Sequence, residues 1–285
     1  MDRMYDYFIN KIFTIPYIDK MINRTGMDTF IQCVSGYIND DNKVTYGEAI
    51  SKIYHYMDTS YRNEYFFKNT ILNQLLIEKH DLYSTTALTE LPIADSKADF
   101  IMINGKGIVY EIKTDLDNLN RLATQISDYY KAFKYVYVVV GYKQYEKVKE
   151  FLKDTKVGIY VLYKSGNLLC RKSAGCNEKN LSYEGIFRIL RKTEFESIIL
   201  KHYGRLPTVN NFYYYRECFK WISQINIKTL QKDMLQSLKQ RTVLIVKDEF
   251  KEQIPYELRF YAYFTKNNTN KYQIIQKFWN DKMEV

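Results

Sequence analysis

Apolar residues follow a helical spacing in the first part of the chain, and the pattern changes to strand-like runs near residue 80. From Tyr61 to about His80 they follow the three- and four-residue spacing of one helical face, at Tyr65, Phe66, Ile71, Leu72, Leu75 and Leu76. The first 60 residues hold shorter amphipathic runs, such as residues 45–57. These patterns predict a small helical cap followed by one amphipathic helix.

Beyond this helix, predicted strands alternate with predicted helices. Three strand-like segments come first, at residues 82–91, 98–103 and 108–113, and Asn104-Gly105-Lys106-Gly107 between the last two is a hairpin signal. A helix at about 115–133, a strand at 135–140, a helix at 144–152 and a strand at 157–163 follow. A sheet that begins antiparallel and continues through crossover helices is a mixed α/β layer.

After Ser165-Gly166-Asn167 the pattern becomes mainly helical, with predicted helices at residues 183–192, 194–203, 214–225 and 227–239. We therefore divide the chain into three parts. Residues 1–60 are a helical N-terminal cap, 61–163 an α/β core and 164–285 a mainly helical C-terminal module.

The positive charge of the chain is concentrated in its last part. The net charge is +9. Up to Tyr163 there are 20 Lys and Arg against 21 Asp and Glu, and the remainder has 22 against 12. Lys and Arg that neutralise phosphates release counterions, so a basic module beside a neutral one indicates a polyanionic partner. We expect phosphate contacts from Arg188, Arg191 and Lys192; a solvated basic surface without a partner is the alternative.

The sequence predicts no membrane partner. No run of eighteen apolar residues occurs, and the N-terminus lacks the apolar stretch of a signal peptide. We therefore expect a cytoplasmic protein. The four cysteines lack the paired spacing of a zinc ribbon, which favours free thiols.

Three charged residues interrupt the apolar strands of the predicted hairpin. Asp99 precedes Phe100-Ile101-Met102-Ile103, and Glu111 and Lys113 follow Ile108-Val109-Tyr110. Glu111 and Lys113 are two apart on one strand and point to the same face. A lone Glu-x-Lys is usually a solvated charge pair, but ionised groups that end buried strands are costly unless paired or metal-bound. Two carboxylates and the main-chain carbonyl of Ile112 can hold Mg²⁺, and Lys113 can orient water or stabilise charge on a phosphate.

These residues resemble the PD-(D/E)XK nuclease superfamily. An Asp on one strand and Glu-x-Lys on the next, between two helices, matches its helix, three-strand, helix, strand core. The runs Lys97-Ala98-Asp99-Phe100 and Glu111-Ile112-Lys113-Thr114 are similar to a little-characterised group of bacterial and phage proteins in it. The resemblance implies a restriction-endonuclease-like fold and a nuclease that uses Mg²⁺, with Mn²⁺ as the alternative ion. It also implies that Glu64 reaches the metal. Ala98 stands where the motif has Pro, which makes the short motif less specific.

The predicted helix after Glu-x-Lys carries a second motif. Gln125 and Tyr129 are four residues apart and share a helical face, with Arg121 one turn earlier. This pair is similar to the Gln-x-x-x-Tyr element of RecB-like nucleases. The resemblance implies that Gln125 and Tyr129 approach the active site and that Arg121 contacts nucleic acid. Alternatively, Tyr129 packs against the sheet and Gln125 is solvated.

A shared metal site sets a condition on the hairpin. Across a four-residue loop Asp99 would face Ile112, so Asp99 and Glu111 would lie on opposite faces of the sheet. Both carboxylates lie on one face only if the loop between the strands has an odd number of residues or if a bulge lies beside Asp99. The simplest odd loop is Asn104-Gly105-Lys106, with Gly107 in a positive-φ bulge.

Two further functions remain open. The chain could bind nucleic acid, with DNA expected, or protein on a nuclease fold without catalysis, as a subunit of a phage, defence or repair complex or as a homodimer. The aromatic run Phe212-Tyr213-Tyr214-Tyr215 could dock a protein partner or pack in the core.

Overall fold

The computed structural model describes residues 2–35, 44–241, 249–265 and 270–283. Within these ranges the strands are β1 (Thr86–Ile93), β2 (Ser96–Asn104), β3 (Lys106–Lys113), β4 (Tyr135–Gly141), β5 (Gly158–Leu162) and β6 (Leu168–Lys172). The α-helices are α1 (Asp2–Ile12), α2 (Ile15–Ile22), α3 (Asp28–Ser35), α4 (Tyr46–Thr59), α5 (Glu64–Ile71), α6 (Leu122–Tyr130), α7 (Tyr145–Phe151), α8 (Tyr183–Ile189), α9 (Lys192–Tyr203), α10 (Asn211–Ile222), α11 (Ile227–Lys239), α12 (Phe250–Gln253), α13 (Arg259–Phe264) and α14 (Lys271–Asn280). A π-helical segment, Leu72–Ile77, directly follows α5. No helix of the described residues is long and apolar enough to cross a membrane.

The chain folds into two compact units. The helical unit comprises Met1–Tyr83, Leu162–Leu168 and Leu244–Val285, and the sheet unit comprises Ser84–Val161 and Leu169–Val243. This division differs from the predicted three parts, because α12 to α14 return to the N-terminal helices: α14 packs on α4 and α13 on α5. Packing between helices so far apart in the chain leaves no signal in the local sequence pattern.

The sheet unit is built on a mixed sheet of six strands in the order β1 to β6. The pairs β1–β2 and β2–β3 are antiparallel and β3–β4 is parallel. The predicted mixed α/β layer is therefore confirmed. Val136, Val138, Val139 and Val140 of β4 are all fully buried, as expected for a strand covered on both faces.

Helices α6 and α11 cover one face of this sheet. A Cβ atom added at Gly107 would lie 2.4 Å from Leu235 of α11 and 2.8 Å from Phe133, just after α6. Glycine thus lets both helices approach the β2–β3 hairpin closely. The side chain of Gln231 adds a 3.1 Å hydrogen bond from α11 to the carbonyl of Ala132.

Three sequence predictions are corrected by the structure. Strand β6 was not predicted, because four of its five residues are partly or fully exposed and give no alternation. Helix α6 begins at Leu122 and not near residue 115, because the Asp117 carboxylate accepts hydrogen bonds from the amide and hydroxyl of Thr114 and closes a turn. The strand predicted at 82–91 is Thr86–Ile93.

Candidate metal centre on the sheet

The register of the β2–β3 hairpin brings Asp99 and Glu111 to one face. Phe100 pairs with Tyr110, Ile103 with Gly107 and Asn104 with Lys106. The same register continued by one residue sets Asp99 opposite Glu111, and directly opposed residues of antiparallel strands share a face. The predicted odd connection is confirmed. The positive φ of 67° belongs to Gly105 at the tip and not to Gly107, because the turn reverses at Gly105.

Glu111 is held by three side chains. It is 1% exposed. Its Oε1 accepts hydrogen bonds from Lys113 Nζ at 2.8 Å and Gln125 Nε2 at 2.5 Å, and its Oε2 accepts one from Tyr129 Oη at 2.5 Å. Lys113 Nζ also donates to Gln125 Oε1 at 2.9 Å. The structure therefore brings together four of the predicted site residues, with the carboxylate at their centre.

Helix α6 supplies two of these donors because Gln125 and Tyr129 lie one turn apart on its inner face. Tyr129 is fully buried, and its Oη also lies 3.0 Å from the carbonyl oxygen of Lys97. Burial, reinforced by the negative charge of Glu111, raises the pKa of the Tyr129 phenol far above its ordinary value. The phenol thus stays protonated and donates. The alternative in which Gln125 is solvated does not hold, since both its amide atoms are bonded.

Asp99 is tied to the main chain of β3. Its half-buried carboxylate accepts a 2.8 Å hydrogen bond from the amide of Ile112. The N–H and C=O of one strand residue point to the same side, so the carbonyl of Ile112 is also directed toward β2 and Asp99.

Glu90 is a carboxylate at this face that the sequence analysis missed. The β1–β2 register pairs Thr89 with Phe100 and Leu91 with Ala98, so Glu90 lies opposite Asp99. It has a φ of 56°, and one of its carboxylate oxygens lies within 4.8 Å of one of Asp99. Glu90 also forms an ion pair with Lys97. The sequence signal was weak, because only the register of β1 relates Glu90 to the Asp99 motif.

The charge and donor chemistry of this face suit a hard divalent cation. Glu90, Asp99 and Glu111 carry three negative charges, and the pairing cations Lys97 and Lys113 carry two. Carboxylate and carbonyl oxygens are the ligands that Mg²⁺ takes. This face therefore offers the donor types that Mg²⁺ takes, in the carboxylates of Asp99 and Glu111 and the carbonyl of Ile112.

Two further residues of the predicted site are Glu64 and Arg121. Glu64 begins α5 in the helical unit and pairs with Lys68 at 2.6 Å. Arg121 precedes α6, is exposed, and its guanidinium has no hydrogen-bond or ion-pair partner among the described residues.

The three predicted phosphate-binding residues lie on α8 and α9 and at their junction. Arg188 pairs with Glu184 at 2.9 Å, with both side chains exposed. Arg191 is exposed and donates its main-chain amide to Glu194. The ammonium of Lys192 lies 5.4 Å from the centre of the Tyr214 ring.

Comparison with known proteins assigns the chain to a protein family. A family model described as bacteriophage P4 protein cII matches residues 57–254, more than two thirds of the 285 residues. No curated protein matches the chain. The structure of Pyrococcus furiosus SfsA in complex with Ca²⁺ aligns over 49% of this chain and 70% of that chain, at 17% identity and a TM-score of 0.23. The match to the family model spans every predicted site residue from Glu64 to Lys192, and the chain belongs to the bacteriophage P4 protein cII family.

Proposed function

We propose that this protein is a Mg²⁺-dependent nuclease of the PD-(D/E)XK type, on a restriction-endonuclease-like core, that hydrolyses phosphodiester bonds of nucleic acid, with DNA as the expected substrate. One observation carries the proposal. The β2–β3 register sets Asp99 opposite Glu111, with Lys113 bonded to Glu111 on the same face.

The proposed ligands are the carboxylates of Asp99 and Glu111 and the carbonyl of Ile112, with Mn²⁺ as the alternative ion. A bound Mg²⁺ supplies Lewis-acid polarisation of the phosphate and acidifies water in the site. The ligand geometry is preorganised by the protein: the Ile112 amide fixes Asp99, and Gln125 and Tyr129 fix Glu111. Gln125 and Tyr129 are therefore positioning residues that act through Glu111.

Lys113 is the proposed catalytic cation. Its ammonium is largely buried and held between Glu111 and Gln125. In hydrolysis a water oxygen adds to phosphorus and releases a proton to the solvent, while the bond from phosphorus to the leaving sugar oxygen breaks and that oxygen takes up a proton from the solvent. A cation fixed at this face can orient the water and stabilise the charge that develops on the phosphate oxygens.

The charge distribution supports a nucleic acid as the substrate. The residues after Tyr163 carry an excess of ten positive charges, 22 against 12. Such an excess favours binding to a phosphate backbone through counterion release.

A second function, binding of nucleic acid without catalysis, is favoured by one feature of Glu111. Both its oxygens already accept hydrogen bonds from Lys113, Gln125 and Tyr129. A carboxylate satisfied in this way could be a purely structural polar network. In that case the protein would act as a subunit of a larger assembly or as a homodimer.

Cleavage assays separate the two functions. Plasmid and linear DNA are incubated with the protein and Mg²⁺, Mn²⁺ or EDTA, beside the Glu111→Gln variant. The proposal expects metal-dependent cleavage that the variant lacks while it still binds DNA. Binding without cleavage in any metal would favour the non-catalytic function.

A further inference from the structure

The solvent face of α10 carries two aromatic and two cationic side chains in one stripe. Successive residues of a helix are about 100° apart around its axis. Phe212, Tyr213, Arg216 and Lys220 therefore fall within one sector of roughly 100°. Phe212 is 85% and Tyr213 56% exposed, so neither ring is part of the core. The centroids of the two rings are 5.0 Å apart, and the rings are arranged edge to face.

Residues of α10 outside the stripe hold the helix in place. Cys218 and Ile222 are fully buried, and the rings of Tyr215 and Phe219 lie 4.8 and 5.3 Å from that of Phe187 on α8. The stripe is thus presented on a helix that is anchored by other residues. Removing its side chains would leave the packing of α10 intact.

Acidic residues are absent from the segment that leads into the stripe. Residues 197–216 contain Lys201, Arg205 and Arg216 and no Asp or Glu. The Arg216 guanidinium has no hydrogen-bond or ion-pair partner within the described part of the chain. Lys220 has only a 3.5 Å contact with Glu217. The cations of the stripe are therefore available to an anionic ligand.

We propose that this stripe binds single-stranded nucleic acid, with bases stacked on Phe212 and Tyr213 and phosphates beside Arg216 and Lys220. Aromatic rings interleaved with cations are the combination that binds single strands irrespective of sequence. From residue 212 to residue 220 the helix rises about 12 Å, which accommodates roughly three stacked nucleotides. The inference rests on the proposed function only where it names the bound strand as the substrate of the nuclease. Binding of the strand to the stripe requires no cleavage.

A protein partner fits the stripe less well. Aromatic residues and arginine are common in protein interfaces, but lysine is depleted there, and Lys220 lies in the stripe. A duplex also fits poorly, because its bases are stacked on one another and offer no free face to a ring.

The test measures binding of fluorescein-labelled oligonucleotides, single- and double-stranded, in EDTA. Phe212→Ala and Tyr213→Ala should each weaken single-strand binding by about five- to a hundredfold, with no change in duplex affinity. Arg216→Ala should lower the slope of log affinity against log salt by about 0.7. Phe151→Ala, which removes an exposed ring from α7, is the matched control and should bind like the wild type.

Two results would overturn the proposal. One is single-strand affinity unchanged in both aromatic variants. The other is a wild-type dimer in sedimentation that Phe212→Ala converts to monomer without weakening single-strand binding, since the stripe would then join two copies. Cleavage by the wild type and by Glu111→Gln is measured separately, in Mg²⁺. If no cleavage is found, the binding test in EDTA can still be interpreted.

Discussion

At the scale of single residues, Tyr129 and Tyr130 provide a matched pair. Tyr129 donates to buried Glu111, whereas the buried hydroxyl of Tyr130 has no hydrogen-bond partner among the described residues. Tyr129→Phe should lower the free energy of unfolding by about 1–3 kcal/mol, the cost of leaving a buried acceptor under-satisfied. Tyr130→Phe should leave stability unchanged or raise it. Urea denaturation measures both, and equal destabilisation by the two changes would contradict the assigned roles.

Lys271 is a residue whose burial makes stability depend on pH. Its side chain lies in the helical unit, with the ammonium 4.6 Å from the Tyr261 ring centre. Burial lowers the pKa of Lys271 to about 8, although Asp19 acts in the opposite direction. Below pH 8 the folded state holds a buried charge; between pH 8 and about 10.5 it releases a proton that the unfolded state keeps, so stability rises with pH.

Lys271→Met should therefore stabilise the protein at pH 7, by roughly 1–3 kcal/mol. The difference from the wild type should shrink as pH rises through 8 to 10. Denaturant unfolding at pH 7, 8, 9 and 10 measures this difference. A constant difference would show that the ammonium is not desolvated in the fold.

At the scale of elements, the close packing of the β2–β3 hairpin against α11 depends on Gly107. Gly107→Ala should destabilise the protein by about 1–3 kcal/mol through overpacking, since its Cβ would lie 2.4 Å from Leu235. Leu235→Ala opens that space, so the destabilisation of the double variant should be smaller than the sum for the two single variants. Additive effects, measured by urea denaturation, would mean that these residues do not touch.

Most, but not all, of the elements could be predicted from the sequence. Runs of apolar and β-branched residues identified the buried strands, helical spacing identified the C-terminal helices, and α11 has the predicted bounds of residues 227–239. The parity of the hairpin followed from requiring two carboxylates on one face. Strand β6 and the start of α6 were missed because an exposed strand has no alternation, and because Thr114 and Asp117 suit a turn as well as a helix start. Glu90 required the β1–β2 register, which depends on long-range pairing.

At the scale of the whole molecule, the uneven distribution of charge along the chain predicts which residues make the affinity for nucleic acid depend on salt. Replacing Arg188, Arg191 and Lys192 together by Gln should flatten the dependence of DNA affinity on salt, by up to about 0.9 in slope for each phosphate that is no longer neutralised. The Arg188–Glu184 pair is exposed and holds the guanidinium only weakly. Fluorescence anisotropy at salt concentrations from about 50 to 300 mM measures the slope.

The matched control removes three lysines, Lys147, Lys149 and Lys153, from the α7 region of the neutral part of the chain. It should leave the slope near the wild-type value. Equal slopes in the two triple variants would show that the charge is spread and that α8 and α9 have no special role.

Cleavage of DNA by the Asp99→Asn variant is the measurement that tests the central claim most directly. The variant loses a ligand charge, so Mg²⁺-dependent cleavage should fall by at least about a hundredfold. Thermal stability without metal should hold or rise, because repulsion from Glu90 and Glu111 is relieved. Asp115→Asn, which removes a partly exposed carboxylate paired with Lys143, should cut like the wild type. An Asp99→Asn protein that cleaves at the wild-type rate would contradict a metal centre at this face.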